Sequence, residues 1–284
     1  MLTFDEQLGI LIDAALKEDI GDGDHSTLSS VSASAKGKAV LKIKQEGVLA
    51  GMAVAQKIFA RQEPSARFTG FKKDGEPMQA GETAFEVEAS VYTILQCERL
   101  VLNCMQRMSG IATLTRQYTR LLEGYKTKLL DTRKTTPNFR LLEKEAVRIG
   151  GGMNHRMGLY DMIMLKDNHI DYCGGLEQAI LRAWQYVQNI RPGLRIEVET
   201  RSIDDVKRVM ATGRVDRIML DNFTPAQIKE ALQLIGEGVE TEASGGINLD
   251  NLEAYAATGV DYISIGALIH QAKSLDLSLK AVIV

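Results

Sequence analysis

The chain has 284 residues, of which 45% are hydrophobic and 25% are charged, and its formal net charge is −3. These proportions are typical of a globular protein long enough for one large domain or two. The acidic balance argues against a general nucleic-acid or membrane-surface binder. No apolar run approaches the roughly 18 residues needed to cross a bilayer.

The N-terminus and the cysteines indicate a compartment. The first residues are acidic and lack the basic start and apolar core of a signal peptide. Cys97, Cys104 and Cys173 are odd in number and show no metal-type spacing. We therefore expect a reduced, cytoplasmic protein.

The first ninety residues predict a small mixed α+β unit. Residues 4–20 place apolar side chains at helical spacing, and Gly21 and Gly23 end that helix. From Lys38 the apolar residues alternate with lysines, which is typical of a half-buried strand. One further helix and two further strands are predicted, at residues 53–61, 66–71 and 83–87.

A long helix is predicted next. Ser90 is a suitable N-cap residue, and the helical pattern runs to Met108. Ser109 and Gly110 are expected to interrupt the helix at that point.

From Leu129 onward, short apolar strands alternate with helical segments. This alternation predicts parallel strands with helical crossovers. Six such units favour an incomplete α/β barrel, with a doubly wound open sheet as the alternative. The usual dinucleotide and P-loop sequences are absent. The six strand cores centre near Leu130, Met164, Val198, Met219, Thr241 and Ile263.

Cationic residues follow the first strands of this series. Ligands bind over the carboxyl ends of strands in parallel barrels. A cluster of cations there, in a slightly acidic chain, predicts a small ligand with several negative charges. The alternatives are a solvated charge pair and a helix-capping loop rich in glycine. The candidates are Arg133, Lys134, His155, Arg156 and Lys166.

Carboxylates and glycines follow the later strands. Glu199 and Asp221 end consecutive strands, where they could share Mg²⁺ or pair with the cations, and the sequence leaves both open. Helices are predicted at residues 248–258 and 268–273. Backbone N–H groups at glycine-rich turns before helices favour phosphate, and the residues at these turns are Ser244, Gly245, Gly246 and Gly266.

Residues 131–170 closely resemble the quinolinate phosphoribosyltransferase family, also called nicotinate-nucleotide pyrophosphorylase (carboxylating), among the type II phosphoribosyltransferases. The motifs T-R-K-T-T-P, L-E-K-x-A-V-x-x-G-G-G-x-N-H-R-x-G-L-x-D and L-K-D-N-H stand in this order. Similar segments extend the resemblance over nearly the whole chain. The sequence departs at Leu100 and Asn138, where the family often has threonine and glycine.

The resemblance implies a fold and an assembly. It implies an N-terminal α/β sandwich domain of residues 1–110, joined by residues of about 273–284, and a catalytic α/β barrel of six to seven strands at residues 111–272. It also implies a homodimer at minimum, with Arg99 donated across the interface, and leaves a hexamer open.

The implied reaction joins quinolinate to 5-phosphoribosyl-1-pyrophosphate with decarboxylation, giving nicotinate mononucleotide, CO2 and pyrophosphate for NAD biosynthesis. It implies Mg²⁺, held by Glu199 and Asp221 directly or through water, and no organic cofactor. The catalytic residues would be Lys134, Lys166, Glu199 and Asp221. Quinolinate would bind Arg99, Arg133, Lys134, His155, Arg156 and Lys166. The phosphoribosyl donor would bind Glu199, Asp221, Ser244, Gly245, Gly246, Gly266 and His270.

Three other functions fit parts of the pattern. Lys166 at a strand end suits a Schiff-base aldolase. A paralogue acting on nicotinate, or a relative associated with molybdenum transport, would share many motifs, although three arginines favour a dicarboxylate. A non-catalytic sensor of phosphoribosyl compounds would be free to lose Lys166, Glu199 or Asp221, and all three are present.

Overall fold

The structure is a computed structural model that describes residues 2–282. The first elements in chain order are α1 (Phe4–Ile20), α2 (His25–Ser30), β1 (Lys36–Ile43), β2 (Gly47–Val48), α3 (Met52–Gln62), β3 (Arg67–Gly70), β4 (Pro77–Met78), β5 (Thr83–Ser90) and α4 (Val91–Leu121). The next are β6 (Lys128–Leu130), α5 (Arg140–Ile149), β7 (Ile163–Leu165), α6 (Asp167–Cys173), α7 (Leu176–Asn189) and β8 (Ile196–Thr200). The last are α8 (Ile203–Thr212), β9 (Arg217–Asp221), α9 (Pro225–Ile235), β10 (Glu240–Ser244), α10 (Leu252–Ala256), β11 (Tyr262–Ser264), α11 (Ala267–His270) and β12 (Leu277–Val282).

Within the described residues the chain forms two compact units. The first unit comprises residues 1–116, 135–151 and 268–284, and the second comprises residues 117–134 and 152–267. The domain boundaries predicted from the sequence stay a prediction.

The first unit contains a four-stranded antiparallel sheet in the order β12-β1-β5-β3. Leu41 and Ile43 of β1 are fully buried while the lysines between and after them are not, which confirms the predicted period of two. Leu279 of β12 lies opposite Leu41, so a strand from the far end of the sequence completes this sheet.

Helix α4 continues without a break for 31 residues, so the predicted interruption at residues 109–110 is wrong. The Ser109 hydroxyl accepts the N–H of Ala50 at 3.0 Å and donates to its carbonyl at 3.2 Å. A Cβ on Gly110 would lie 2.0 Å from the carbonyl oxygen of Lys273. Both residues let helix α4 pack closely against other segments, and neither residue ends the helix. The predicted start is confirmed, since the Ser90 hydroxyl accepts the N–H of Thr93 at 3.1 Å.

The second unit contains a six-stranded parallel sheet in the order β6-β11-β10-β9-β8-β7. All six strands predicted from Leu129 onward are present. Neighbouring strands follow one another along the chain, and β6, the first of them, pairs with β11, the last. A doubly wound sheet would instead reverse its strand order at a switch point. The arrangement confirms the incomplete α/β barrel and excludes the open-sheet alternative.

An irregular segment lies between β6 and β7 in the barrel. Met153 forms an isolated parallel bridge to Leu130. Its N–H donates to the Leu129 carbonyl at 2.8 Å, and its carbonyl accepts from the Asp131 N–H at 3.1 Å. The segment therefore takes part of a strand's place and leads directly into residues 154–156.

The last two predicted helices are shorter than expected. Helix α10 begins at Leu252, because residues 248–251 form a turn in which the Asn251 side chain accepts the Asn248 N–H at 2.8 Å. Helix α11 has only four residues. The glycines at residues 245–246 therefore lie in a loop well before a helix, not in its first turn.

Among residues 2–282 no helix is long and apolar enough to cross a membrane. The three cysteines are free thiols, and Cys97 and Cys104 are buried. Burial raises the pKa of each of these two thiols to about 12. Both are packing residues, and the cytoplasmic location stays a prediction.

Replacing Gly110 with alanine should lower the free energy of unfolding by about 1–3 kcal/mol, because the new Cβ must displace the Lys273 backbone. Urea denaturation measures the change. Gly9 of α1 is the matched control, since a Cβ there meets nothing within 4 Å, and its alanine variant should gain up to about 1 kcal/mol. Equal midpoints for Gly110→Ala and the parent would contradict the packing role.

Candidate active site

The carboxyl ends of parallel strands meet at one edge of a sheet. In the second unit that edge carries eleven of the thirteen predicted site residues. Arg99 is exposed on α4 and His270 is exposed at the end of α11, both in the first unit. The eleven are Arg133, Lys134, His155, Arg156, Lys166, Glu199, Asp221, Ser244, Gly245, Gly246 and Gly266.

Asp131 joins the first two segments of this edge. It is fully buried at the end of β6, and its carboxylate accepts the His155 N–H at 2.8 Å and the Asn154 side-chain amide at 2.7 Å. The loop that begins at Thr132 and the loop that contains Arg156 are thereby held side by side.

Arg133 and Arg156 are neighbours within this edge. Burial lowers the pKa of Arg156, and the positive charge of Arg133 lowers it further. One Arg156 Nη donates to the Met162 carbonyl at 3.2 Å, which fixes the side chain's direction. Asp161 accepts the backbone N–H groups of Met157 and Gly158 at 2.6 and 2.9 Å and so shapes the loop that follows. Two adjacent guanidinium groups favour an anionic ligand.

Lys166, Glu199 and Asp221 form a second group of charges. The Lys166 ammonium lies 2.6 Å from the Glu199 carboxylate, and the lysine side chain is 45% exposed while the glutamate is 9% exposed. Burial and the negative charge of Glu199 raise the pKa of Asp221. The sequence left a metal site and salt bridges open for these carboxylates. Glu199 forms the salt bridge, and Asp221 contributes negative charge beside it.

The loop after β10 requires glycine. Gly245 has φ of +94°, and Gly246 has φ of +66°. A Cβ on Gly245 would lie 2.2 Å from the Asn222 side-chain oxygen and 3.0 Å from its backbone nitrogen. Asn222 itself donates its backbone N–H to the Ser244 carbonyl at 2.8 Å and its side-chain amide to Asp221 at 2.7 Å. Gly245 therefore lets the backbone pack directly against Asn222, the residue that follows Asp221.

The His155 ring lies inside the barrel, only 4% exposed, and not at its surface. Its Nε2 lies 3.0 Å from Glu197 and 3.2 Å from Glu242, and its Nδ1 accepts the Arg156 N–H at 2.6 Å. Burial lowers the pKa of His155, but the two carboxylates outweigh burial and raise it to about 9. Nε2 is the ring nitrogen that faces both carboxylates, and it carries the proton that they stabilise.

The pKa values of Glu197 and Glu242 shift in opposite directions. Burial and the charge of Glu242 raise the pKa of Glu197. Burial also opposes ionisation of Glu242, but hydrogen bonds from His155 and Ser264 and the charge of Arg217 outweigh it and lower its pKa. Arg217 donates to Glu242 at 3.1 Å and to Glu240 at 2.7 and 2.9 Å, and its guanidinium stacks 4.2 Å from the Tyr262 ring centroid. A chain of ion pairs thus runs through the barrel.

Within the described residues, His155, Glu197 and Glu242 are a group that could hold a metal ion, since their ligand atoms lie within 4.8 Å of one another. It is not the pair predicted for Mg²⁺. All three residues are buried, and Arg217 already contacts Glu242. Magnesium usually keeps several water ligands, so this group is better described as an ion network.

Sequence reasoning missed Asp131, Glu197, Arg217 and Glu242 as functional residues. A signal was present, because an ionisable residue in the middle of an apolar strand is rarely buried without a partner. The sequence did not show which partner each residue contacts.

Replacing Glu242 with glutamine should lower the free energy of unfolding by about 3–5 kcal/mol, because it removes the buried carboxylate that pairs with both Arg217 and His155. Urea denaturation followed by circular dichroism checks this. The control is Glu177→Gln, which breaks an exposed pair with Arg208 and should leave the midpoint unchanged. An unchanged midpoint for Glu242→Gln would show that the network contributes no stability.

Two family models match this chain. The quinolinate phosphoribosyl transferase C-terminal domain matches residues 111–280, which is more than half of the chain. The N-terminal domain of the same family matches residues 24–109.

Named relatives and solved structures agree with this match. A Bacillus subtilis (strain 168) protein named probable nicotinate-nucleotide pyrophosphorylase (carboxylating) is 43% identical over 273 residues, covering 96% of this chain and 93% of the relative. Mitochondrial quinolinate phosphoribosyltransferase (decarboxylating) 2b of Nicotiana tabacum is 41% identical over 281 residues, covering 94% and 80%. The crystal structure of NadC from Streptococcus pyogenes has a TM-score of 0.90 at 40% identity, covering 100% of this chain and 99% of that one. The chain therefore belongs to the quinolinate phosphoribosyltransferase family.

Proposed function

We propose that this protein is the pentosyltransferase that transfers the phosphoribosyl group of 5-phosphoribosyl-1-pyrophosphate to quinolinate in NAD biosynthesis. The products are nicotinate mononucleotide, CO2 and pyrophosphate. Family membership and relatives named for this activity support the proposal. The observation that carries it is the pair of guanidinium groups, Arg133 and Arg156, on two loops that Asp131 holds together at the barrel's carboxyl edge.

Quinolinate has two adjacent carboxylates, and arginine suits planar, bidentate carboxylate recognition. Arg133 and Arg156 would bind these groups, with Lys134 and Lys166 adding positive charge. His155 points inward to Glu197 and Glu242 and contacts the Arg156 backbone. It would therefore contribute to quinolinate binding by supporting Arg156 from within the barrel.

The phosphoribosyl donor would occupy the neighbouring strand ends. Glu199 and Asp221 offer hard oxygen donors. Burial and the charge of Glu199 raise the pKa of Asp221, and the charge of Lys166 opposes this rise. These residues fit Mg²⁺ bound together with substrate phosphates, where the ion would neutralise the pyrophosphate leaving group. The donor's 5-phosphate would meet backbone and hydroxyl groups of Ser244, Gly245, Gly246 and Gly266, with His270 joining by family resemblance.

The proposed chemistry needs no covalent nucleophile from the protein. The pyridine nitrogen forms a bond to the anomeric carbon while the bond from that carbon to pyrophosphate breaks. The carbon–carboxylate bond next to the cationic nitrogen then breaks, its electron pair stays on the ring carbon, and that carbon takes a proton. Positioning and fixed charges supply the catalysis, and Lys134 or Lys166 would stabilise charge near the reacting centre.

The geometry disfavours the aldolase alternative. A Schiff-base lysine must be neutral to attack a carbonyl, whereas the Lys166 ammonium is held 2.6 Å from Glu199. Two adjacent arginines also favour quinolinate over nicotinate, which has one carboxylate.

The purified chain, given quinolinate, 5-phosphoribosyl-1-pyrophosphate and Mg²⁺, should release CO2 and nicotinate mononucleotide in equal amounts. Arg156→Met should lower kcat/KM about a hundredfold through loss of charged hydrogen bonds. Arg182→Met, at an exposed position on α7, is the matched control and should keep parent activity. Turnover of nicotinate without turnover of quinolinate would replace the proposal with the paralogue.

We also propose that Arg99 of the partner subunit completes the quinolinate site in a homodimer. Arg99 is exposed on α4 of the first unit, whereas the other proposed quinolinate residues belong to the second unit.

Complementation tests this arrangement. Arg99→Ala and Lys166→Ala should each be nearly inactive, but hybrid dimers would contain one site with both native residues. Random mixing after co-refolding should restore about a quarter of parent activity. No recovery in the mixture would place Arg99 in the site of its own subunit or outside the site.

A further inference from the structure

In the first unit, an ion pair between half-buried Arg107 and fully buried Glu143 joins two segments that flank proposed substrate-binding residues. We propose that Arg107 and Glu143 are positioning residues that fix the segments carrying Lys134 and His270. This inference rests on the proposed function, because the two segments matter for catalysis only if they contact substrate.

Glu143 of α5 holds the loop that follows Lys134. Its side chain is fully buried. The carboxylate accepts the backbone N–H of Thr136 at 2.7 Å and the Thr136 hydroxyl at 3.0 Å. Thr136 itself and Pro137 are exposed, so few apolar contacts hold this loop, and the two hydrogen bonds fix its path two residues after Lys134.

Arg107 of α4 holds Glu143 and the α11 segment together. Its Nε and Nη2 donate to one Glu143 oxygen at 3.0 and 2.8 Å. Its Nη1 donates to the Ala272 carbonyl at 2.7 Å, and Nη2 also donates to the Ile269 carbonyl at 2.7 Å. These carbonyls lie on either side of His270, at the end of a helix of four residues. The Ile269 carbonyl also accepts the Ala272 N–H at 3.2 Å.

Only a planar guanidinium can make all of these contacts from one position. A lysine has a single ammonium, which cannot reach the carboxylate and both carbonyls together. One carboxylate oxygen of Glu143 accepts hydrogen bonds from both Arg107 and the Thr136 hydroxyl. A shift of one segment is therefore transmitted to the other. The pair therefore couples the two segments in addition to stabilising the first unit.

The coupling predicts a specific kinetic signature. Arg107→Lys should raise KM for both quinolinate and 5-phosphoribosyl-1-pyrophosphate by about tenfold, since small displacements of binding groups are costly. Thr136→Val removes one contact at an exposed position and should raise KM for quinolinate more than KM for 5-phosphoribosyl-1-pyrophosphate. Arg107→Lys keeps the positive charge, so the rise in both KM values would come from the lost guanidinium contacts.

Amide hydrogen exchange gives a readout that does not depend on turnover. In Arg107→Lys, exchange should become faster in residues 133–139 and 268–274. The matched control is Glu145→Gln, two residues along α5, which breaks a pair between half-buried Glu145 and exposed Arg148. This variant should leave exchange in both segments and both KM values unchanged.

The exchange rates and KM values together distinguish a positioning role of Arg107 and Glu143 from a role in stability alone. Faster exchange confined to these two segments, with the expected KM changes, supports positioning. Unchanged exchange in both, or a lower melting temperature with parent KM values, assigns Arg107 and Glu143 to stability alone and overturns the inference. An inactive parent enzyme would overturn the proposed function, and the exchange result would still decide whether the pair fixes the two segments.

Discussion

The pairing of β6 with β11 is the constraint on which the second unit depends. Along the chain these are the first and the last strand of the parallel sheet. Their contact turns a row of strands into an incomplete barrel. Because every strand then runs in the same direction around a common interior, residues far apart in sequence share one edge. The charged groups at that edge are thereby brought together by the sheet.

The barrel interior contains buried carboxylates beneath the cations of its edge. Cations at the edge favour an anionic ligand, and the charge of Arg133 adds to burial in lowering the pKa of Arg156. Beneath them, Glu197 and Glu242 contact the His155 ring, and Arg217 pairs with Glu242. His155 connects the two levels through its contact with the Arg156 backbone. Stability of the interior and geometry of the edge are therefore linked through one imidazole.

Much of this arrangement could be predicted from the sequence. Apolar strands alternating with helices predicted the barrel and its six strands. Polar residues at the strand ends predicted the candidate edge. Ser109 and Gly110 were misread, because local propensity suggests a break where packing against Ala50 and Lys273 requires small residues. The depth of His155 and the partners of Arg107 depend on contacts between distant residues, which no local pattern reports.

Strand β12 has a consequence for the order of folding during translation. It pairs with β1 across more than two hundred residues of sequence, whereas the segment between β6 and β11 contains all strands of the barrel. On the ribosome, the barrel strands emerge before β12, so the antiparallel sheet that starts first is finished last. Until β12 arrives, the nascent chain exposes one side of β1 as an open edge, a site where chaperones and unwanted strand partners compete.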